Sequence, residues 1–214
     1  MDAAEYNAWY DTPRGRWIGE TEFRLARHLL APQPSDTLVD VGCGTGWFTR
    51  RFAEEGCIAT GLDINGSWLA FAREQNGANT AWVEGDASCL PFPERQFDLA
   101  VSIAALCFVA DERKAVSEVV RVTKRRFAIG WLNRSSLLYR AKAGHGAYKG
   151  AHWRTRSEVR SLFDGLPVHG LVIRSAVFLP SGQIVAELLE DVVPGWLPWG
   201  AILVAAGNVA RAPD

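Results

Sequence analysis

The 214-residue chain has the length of one α/β domain, and a chain of this size buries roughly 70% of its unfolded surface without disulfides or metal ions. Its 48% hydrophobic and 22% charged residues exclude a disordered or fibrous protein. The 23 Lys and Arg nearly balance the 24 Asp and Glu, and a net charge of -1 argues against a protein that wraps nucleic acid.

Along the chain, apolar bursts alternate with segments of helical periodicity, which is typical of parallel strands joined by crossover helices. Helices are predicted over residues 17–30, 47–55, 68–75, 112–122, 155–163 and 183–192, and Ser67 is the expected cap of the third. Strands are predicted over residues 37–41, 57–62, 80–83, 97–103, 126–132, 168–178 and 200–206. The fold class is therefore α/β, a doubly wound and mostly parallel seven-stranded sheet. Residues 133–153 carry no clear pattern.

Cysteine usage and hydropathy predict a cytoplasmic protein. Cys43, Cys57, Cys89 and Cys107 include no C-x-x-C pair, so neither a zinc site nor a disulfide framework is expected, and no metal is predicted. The first residues have no apolar signal core. The most apolar stretch, residues 196–209, is too short for a transmembrane segment.

The predicted strand over residues 37–41 leads into the run D-V-G-C-G-T-G, where Gly42, Gly44 and Gly46 alternate with other residues. Glycines permit positive φ angles and let the backbone approach a ligand closely. The dinucleotide pattern G-x-G-x-x-G fails, because its third glycine would fall on Trp47 or Thr49. A phosphate-binding P-loop fails as well, because no Lys follows. A tight turn without a ligand is the plain alternative.

This run resembles the first motif of the class I S-adenosylmethionine (SAM) methyltransferases. Three further segments resemble the family at matching spacing: Asp63 at the end of the second strand, the stretch E-G-D-A-S-C-L-P-F, and the fourth-strand motif F-D-L-A-V-S-I-A-A-L-C-F-V. The lead-in Y-N-A-W-Y-D-T-P-R-G-R-W is similar to the small-molecule branch called type 11, related to quinone-biosynthesis methyltransferases. The resemblance implies a Rossmann-like sheet whose last strand is antiparallel.

The resemblance also implies SAM as cofactor and S-adenosylhomocysteine (SAH) as product. Asp63 is expected to bind both ribose hydroxyls, with a turn aspartate as the alternative, and Asp86 to accept from the adenine amino group. Residues of the lead-in are expected to cover the cofactor or, alternatively, to pack a surface helix. The candidates are Tyr6, Tyr10, Trp17 and Ile18. The full set of expected cofactor contacts is Tyr10, Trp17, Asp40, Gly42, Cys43, Gly44, Gly46, Trp47, Asp63, Ile64, Trp68, Gly85, Asp86, Ala87, Ser102, Ile103 and Ala104.

We expect one domain over residues 1–214. It divides into a lead-in and lid (1–36), a SAM-binding core (37–132), an acceptor-site segment (133–153) and C-terminal strands and helices (154–214). The acceptor-site segment holds the candidate bases His145, His152 and Tyr139, together with Tyr148; the alternative for each is a packing or surface residue. No fixed catalytic motif is visible. The absence of an N-P-P-[YF] motif and of a Pro-Cys pair argues against DNA methylation.

Charge is unevenly distributed. Between Val119 and Ser157 there are Lys and Arg residues but no Asp or Glu. This basic segment predicts an acceptor with an acidic group, or else a solvated loop that balances an acidic body. The predicted function is methyl transfer from SAM to a small-molecule acceptor. The alternatives are a non-catalytic SAM-binding regulator, an RNA methyltransferase that uses the basic segment, and a nicotinamide oxidoreductase.

Overall fold

The computed structural model describes residues 2–75, 78–179, 181, 186, 190 and 192–210. Seven strands form one sheet: β1 (Thr37–Val41), β2 (Ile58–Asp63), β3 (Thr80–Glu84), β4 (Phe97–Ile103), β5 (Thr123–Leu132), β6 (Val168–Ala176) and β7 (Ile202–Val209). The helices are α1 (Ala3–Trp9), α2 (Pro13–Leu30), α3 (Trp47–Glu54), α4 (Gly66–Glu74), α5 (Glu112–Val122), α6 (Leu137–Lys142) and α7 (Arg156–Ser161). Two short 3₁₀ turns lie at Leu106–Phe108 and Gly146–Tyr148.

The strand order is β3-β2-β1-β4-β5-β7-β6. The first five strands pair in parallel, and β7 lies antiparallel between β5 and β6. This confirms the predicted doubly wound sheet and its antiparallel last strand. Because β1 to β5 all end at one edge, the loops that follow them meet above that edge, which is where open α/β sheets bind ligands.

The core fills both faces of the sheet. Trp131 and Phe127 of β5 are fully buried, and Phe127 stacks on Phe163 with ring centroids 5.2 Å apart. On the lead-in side, Phe23 of α2 packs edge-on against Phe52 of α3 at 4.9 Å. No helix among residues 2–75, 78–179 and 192–210 is long and apolar enough for a membrane span.

The start of β5 differs from the prediction. The strand begins at Thr123, directly after α5 and without a loop, whereas the predicted strand begins only at Arg126. The charged residues at the start of β5 break the apolar pattern by which a strand is predicted. They are accommodated in the strand because two of them form ion pairs with residues near the starts of neighbouring strands. Lys124 pairs with Asp98 at 3.4 Å, and Arg125 pairs with Asp36 at 2.6 Å.

Other boundaries differ because capping and pairing decide them. The cap of α4 is Asn65 rather than Ser67, since the Asn65 side chain accepts hydrogen bonds from the backbone amides of Ser67 and Trp68. α7 is shorter than predicted, β6 ends at Ala176, and β7 is displaced towards Val209 by its pairing with both neighbours. The helix predicted over residues 183–192 lies outside the continuously described residues.

Asn133 ties the end of β5 to the approach to β7. Its buried Nδ2 donates to the carbonyls of Pro198 and Gly200, each at 2.7 Å, while its Oδ1 accepts from the Ser135 amide at 2.9 Å. The segment that crosses above the sheet after β5 therefore starts from a rigid point.

We expect Asn133→Ala to lower the free energy of unfolding by about 2–4 kcal/mol, because buried groups that lose a hydrogen-bond partner cost about 1–3 kcal/mol each. Chemical denaturation measures the change. Asn208→Ala is the control, because the half-buried Asn208 side chain makes no hydrogen bond to any described residue. Equal losses in the two variants would contradict the role of Asn133.

Candidate active site

Two cavities adjoin at the edge of the sheet where β1 to β5 end. The first cavity has a volume of about 980 Å³ and lies above the ends of β1, β2 and β4. The second cavity, of about 610 Å³, lies between α2, the end of β5 and the segment 138–148. Tyr6, Tyr10, Ile103, Ala104 and Phe108 line both, so these residues form the wall between them.

The predicted cofactor residues converge on the first cavity, except for Trp17, Gly46 and Ser102. Those that line it are Tyr10, Asp40, Gly42, Cys43, Gly44, Trp47, Asp63, Ile64, Trp68, Gly85, Asp86, Ala87, Ile103 and Ala104. The loops after β1, β2, β3 and β4, together with the lead-in, thus supply one concave surface.

Gly42 and Gly46 have different reasons to be glycine. Gly42 has φ +75°, and a Cβ there would lie 2.4 Å from the Cβ of Ala105 in the loop after β4. Gly46 has φ +77° at the start of α3, and a Cβ there would lie 2.2 Å from the Trp82 ring. Gly46 therefore serves the packing of α3 on the sheet rather than the surface of the first cavity.

The Asp63 carboxylate connects two of the loops. Its Oδ2 accepts from the Gly44 amide at 2.7 Å, and its Oδ1 accepts from the Asn65 amide at 2.9 Å. Asp63 is therefore a turn aspartate, as in the alternative interpretation of the sequence, and it also lines the cavity, as expected of a ribose-binding acid. A carboxylate oxygen has two acceptor positions, so each oxygen can still receive a hydroxyl from a vicinal diol.

Asp86 is held in its ionised form at the far end of the first cavity. Its Oδ1 accepts from the Ser88 amide and the Ser88 hydroxyl, both at 2.8 Å, and these hydrogen bonds lower the pKa of Asp86. Its Oδ2 accepts no side-chain or amide hydrogen bond from the described part of the chain. That oxygen can receive an exocyclic amino group.

Asp40 is the buried acid of the first cavity. Burial raises the pKa of its carboxyl to about 7, although the Thr49 hydroxyl donates to its Oδ2 at 2.7 Å and opposes the rise. The nearby charge of Asp63 adds to the rise. Asp40 is therefore close to its titration point at neutral pH, and a cation entering the cavity would favour its ionised form.

Aromatic residues of the lead-in cover this site. Tyr10, just after α1, stacks on Trp47 with centroids 4.7 Å apart and planes 10° apart, and Tyr6 lies 4.8 Å from Trp68. Tyr6 and Tyr10 line both cavities and Ile18 lines the second. The expectation for Trp17 fails, because it is half-buried against the core, outside both cavities.

Ser102 is the other sequence-predicted residue that the structure places elsewhere. Successive side chains of a strand point to opposite faces, and Ile103 rather than Ser102 reaches the cavities. Ser102 is fully buried, and its hydroxyl has no hydrogen-bond partner among the described residues.

Comparisons with known proteins agree with this geometry. A family model described as a methyltransferase domain, of type 11, matches residues 39–127. An uncharacterized protein of Mycobacterium tuberculosis (strain H37Rv) is 34% identical over 224 residues, which cover all of this chain and 74% of that protein. A malonyl-[acyl-carrier protein] O-methyltransferase of Pectobacterium atrosepticum is 35% identical over 110 residues, covering 50% of this chain and 43% of that protein.

Among solved structures, a SAM-dependent methyltransferase of Thermotoga maritima, described as a possible histamine N-methyltransferase, superposes with a TM-score of 0.76. It is 23% identical, and the match covers 96% of this chain and 94% of that chain, so it shows the fold. This chain belongs to the type 11 class I SAM-dependent methyltransferases. The sequence-based prediction of the enzyme class and of SAM as cofactor is confirmed.

The first cavity of this methyltransferase fits SAM by shape and charge. The glycine loop leaves room for backbone approach, the Asp63 oxygens suit the ribose hydroxyls, and Asp86 suits the adenine amino group. When bound, SAM supplies a methyl group activated by a sulfonium. The assignment of individual residues to parts of SAM stays a prediction.

The candidate bases of the methyltransferase separate into two groups. His145 and Tyr148 line the second cavity, and the His145 Nδ1 lies 2.8 Å from the carbonyl of Ala143. His152 and Tyr139 lie outside both cavities. The His152 Nδ1 lies 2.7 Å from the Glu112 Oε1, and Tyr139 packs edge-on against Trp153. These long-range partners are invisible in the sequence.

Glu22 is a residue of the second cavity that sequence reasoning missed. The sequence does contain a feature that could have indicated it. Glu22 lies one turn after Ile18 on the apolar face of α2, together with Ala26 and Leu29. A carboxylate at that position breaks an otherwise hydrophobic stripe.

Half of the ten cations in the basic segment are neutralised. Five of its cations form ion pairs with acids outside it: Arg121 with Glu118, Lys124 with Asp98, Arg125 with Asp36, Arg134 with Glu158, and Arg154 with Glu112. Arg140, Lys142 and Lys149 are exposed and form no ion pair with a described residue. Of these three, Lys142 lines the second cavity.

We expect Asp63→Ala to weaken SAH binding about a hundredfold or more, because each hydrogen bond to a charged carboxylate contributes about 1.5–3 kcal/mol. Calorimetric titration with SAH measures the loss. Asp98→Ala is the control, because Asp98 also accepts from a backbone amide, that of Thr37 at 3.0 Å, but at the opposite edge of the sheet. SAH binding of wild-type strength in Asp63→Ala would contradict the assignment.

Asp40 predicts a pH-dependent stability. Its pKa of about 7 in the folded protein lies above its ordinary value of 3.8, so its stabilising contribution is complete below about 4 and is lost as pH rises through 7. Asp40→Asn should therefore gain stability relative to wild type between pH 4 and 8, by up to about 4 kcal/mol. Denaturation at several pH values tests this.

Asp98→Asn provides the opposite control. Hydrogen bonds from Thr37 and the charge of Lys124 outweigh burial and lower the pKa of Asp98. Its contribution is present above the ordinary pKa and is lost as pH falls, so this variant should lose stability relative to wild type as pH rises from 2 to 5. The same pH trend in both variants would contradict the environment assigned to Asp40.

Proposed function

We propose that this methyltransferase acts on a small-molecule acceptor bound in the second cavity, and that the acceptor carries an acidic group. The observation that carries the proposal is the shared wall between the two cavities, because an acceptor and SAM bound on its two sides would lie next to each other. Methyl transfer depends mainly on such alignment of the two reactants.

The size and lining of the second cavity support a small acceptor. Its volume of about 610 Å³ is within the range of small-molecule sites, roughly 300–1,000 Å³. The inner wall is apolar and buried, with Ile18, Leu132, Leu138 and Val177. These residues exclude water and orient the acceptor, whereas Lys142 and His145 of the same lining are exposed and define the rim.

The charge of the rim supports an acidic group on the acceptor. Lys142 lines the second cavity, and Arg140 and Lys149 lie on the same acceptor-site segment. An anionic group at the rim would be attracted by these three cations without displacing an existing ion pair. Most other cations of the basic segment already have acidic partners, which weakens the RNA methyltransferase alternative, because RNA binding depends on cations available to phosphates.

The similarity to a malonyl-[acyl-carrier protein] O-methyltransferase is compatible with an acidic acceptor, since that protein's name denotes a malonyl substrate. It covers half of this chain, so it supports the acidic character rather than the acceptor itself. A non-catalytic SAM-binding regulator would bind SAH equally well, but it would form no SAH from SAM with any acceptor.

We expect small carboxylic acids to be methylated in preference to their matched amides, as measured by SAH release. Replacing Arg140, Lys142 and Lys149 together with Gln should raise KM for the acid about tenfold with little change in kcat, because exposed charges contribute up to about 1 kcal/mol each. SAH affinity should stay unchanged, since these residues lie away from the glycine loop.

Lys124, Arg125 and Arg134 provide the matched control, because their replacement with Gln removes the same total charge from ion-paired surface positions. An unchanged KM in the first triple variant, or an equal rise in both, would overturn the acidic acceptor. SAH release with RNA but with no small molecule would overturn the small-molecule proposal.

A further inference from the structure

Glu22 has no role in the function described so far, yet its carboxyl faces the second cavity from α2. The charged and titratable groups that face the cavity from elsewhere are Glu5 of α1, Arg14 of α2, Lys142 of α6, and His145 and Tyr148 from the following turn, together with Tyr6 and Tyr10. Glu22 accepts no hydrogen bond and forms no ion pair within the described ranges. The described part of the chain therefore offers this carboxylate no structural partner.

The surroundings of Glu22 disfavour its charge. Burial raises the pKa of the Glu22 carboxyl to about 8. Burial also raises the pKa values of Tyr6, Tyr10 and Tyr148, and the negative charge of Glu22 raises each of them further. The three phenol groups therefore lie within electrostatic range of the same carboxylate. A ligand that brings a positive charge would stabilise the ionised form of Glu22.

Aromatic rings line the same cavity as Glu22. Beside the three tyrosines, Trp9, Phe48 and Phe108 line it. The face of an aromatic ring attracts a cation within about 6 Å of its centroid, and a carboxylate together with such rings is the usual composition of an ammonium-binding site. The rings also exclude water, which strengthens the attraction between the two charges.

We propose that the second cavity recognises a protonated amine on the acceptor, with the Glu22 carboxylate as its counter-ion and the aromatic rings as its cage, and that nitrogen is the methylated atom. The inference rests on the proposed small-molecule function and deepens it. Together with the cations at the rim, it describes an acceptor with an amine at its inner end and an acidic group at its outer end.

Glu22 would also prepare the amine for the reaction. An ammonium nitrogen has no lone pair, so one proton must first pass from it to an Oε atom of Glu22, which becomes a neutral carboxylic acid. The freed lone pair then forms the new nitrogen–carbon bond as the sulfur–carbon bond to the methyl group breaks. The nitrogen takes the positive charge that the sulfonium loses, and Glu22 returns its proton to solvent after product release.

The first test measures binding in the presence of saturating SAH, so that it does not depend on turnover. The probes are phenethylamine, 2-phenylethanol and phenylacetate, which share one aromatic group and differ in charge. The variants are Glu22→Gln and the control Glu20→Gln, which removes the same charge from a residue of α2 that lies outside both cavities and pairs with Arg51.

We expect phenethylamine to bind wild type more tightly than 2-phenylethanol. Glu22→Gln should lower the affinity for phenethylamine about tenfold or more, because one buried charge pair is lost. The affinity for 2-phenylethanol should change by less than about twofold, and the affinity for SAH should not change. Glu20→Gln should leave the affinity for both probes unchanged. An amine affinity that Glu22→Gln does not alter, or equal losses for amine and alcohol, would overturn the inference.

The outcome also separates this inference from the proposed function. If phenylacetate or 2-phenylethanol binds and phenethylamine does not, the amine site is wrong and the small-molecule acceptor stands. If SAH binds and none of the three probes does, both fail.

Thermal unfolding gives a check without any acceptor. The ordinary pKa of Glu22 is 4.5, so its raised value means that wild type loses stability as pH rises from about 4.5 through about 8. Glu22→Gln mimics the neutral acid and should melt at an increasingly higher temperature than wild type between pH 5 and 9. A difference that does not change with pH would show that Glu22 is solvated and would overturn the inference.

Discussion

The hydrogen bond from the Gly44 amide to Asp63 is the contact on which the site depends. It joins the loop after β1 to the end of β2 at 2.7 Å, and both strands reach that edge because they pair in parallel from Thr37 and Ile58 onwards. With the loop held in this way, the amides at the start of α3 and the Asp63 oxygens face the same space. The cofactor site is thus a consequence of sheet register together with one carboxylate.

Four carboxylates around the two cavities differ in environment rather than in chemistry. Asp63 and Asp86 accept hydrogen bonds from backbone amides, and their remaining acceptor positions suit hydroxyl or amino groups. Asp40 and Glu22 are desolvated, which raises their pKa values to about 7 and about 8. Desolvated acids respond to a cation, and the sulfonium-bearing cofactor and an amine acceptor would each supply one on either side of the shared wall.

The wall between the two cavities is held in place by packing contacts. Tyr6 and Tyr10 are fixed by ring contacts with Trp68 and Trp47, and Ile103 belongs to the buried strand β4. A rigid partition of this kind sets the relation between two bound molecules, and orientation is the main requirement of a methyl transfer. The acceptor-site segment completes the enclosure from a point anchored by Asn133.

The sequence by itself determined the features that depend on neighbouring residues. The periodicity of residues 37–132 predicted five strands and their crossover helices, and the alternating glycines, Asp63 and Asp86 predicted the cofactor loops, because strand, turn and helix preferences are local. The tertiary structure alone decided what depends on distant partners. Ion pairs with Asp98 and Asp36 allow β5 to begin three residues early, strand alternation turns Ser102 away from the cavities, and Glu112 holds His152 outside them. Glu22 faces aromatic residues as far along the chain as Tyr148, and no local pattern records an approach between residues so far apart.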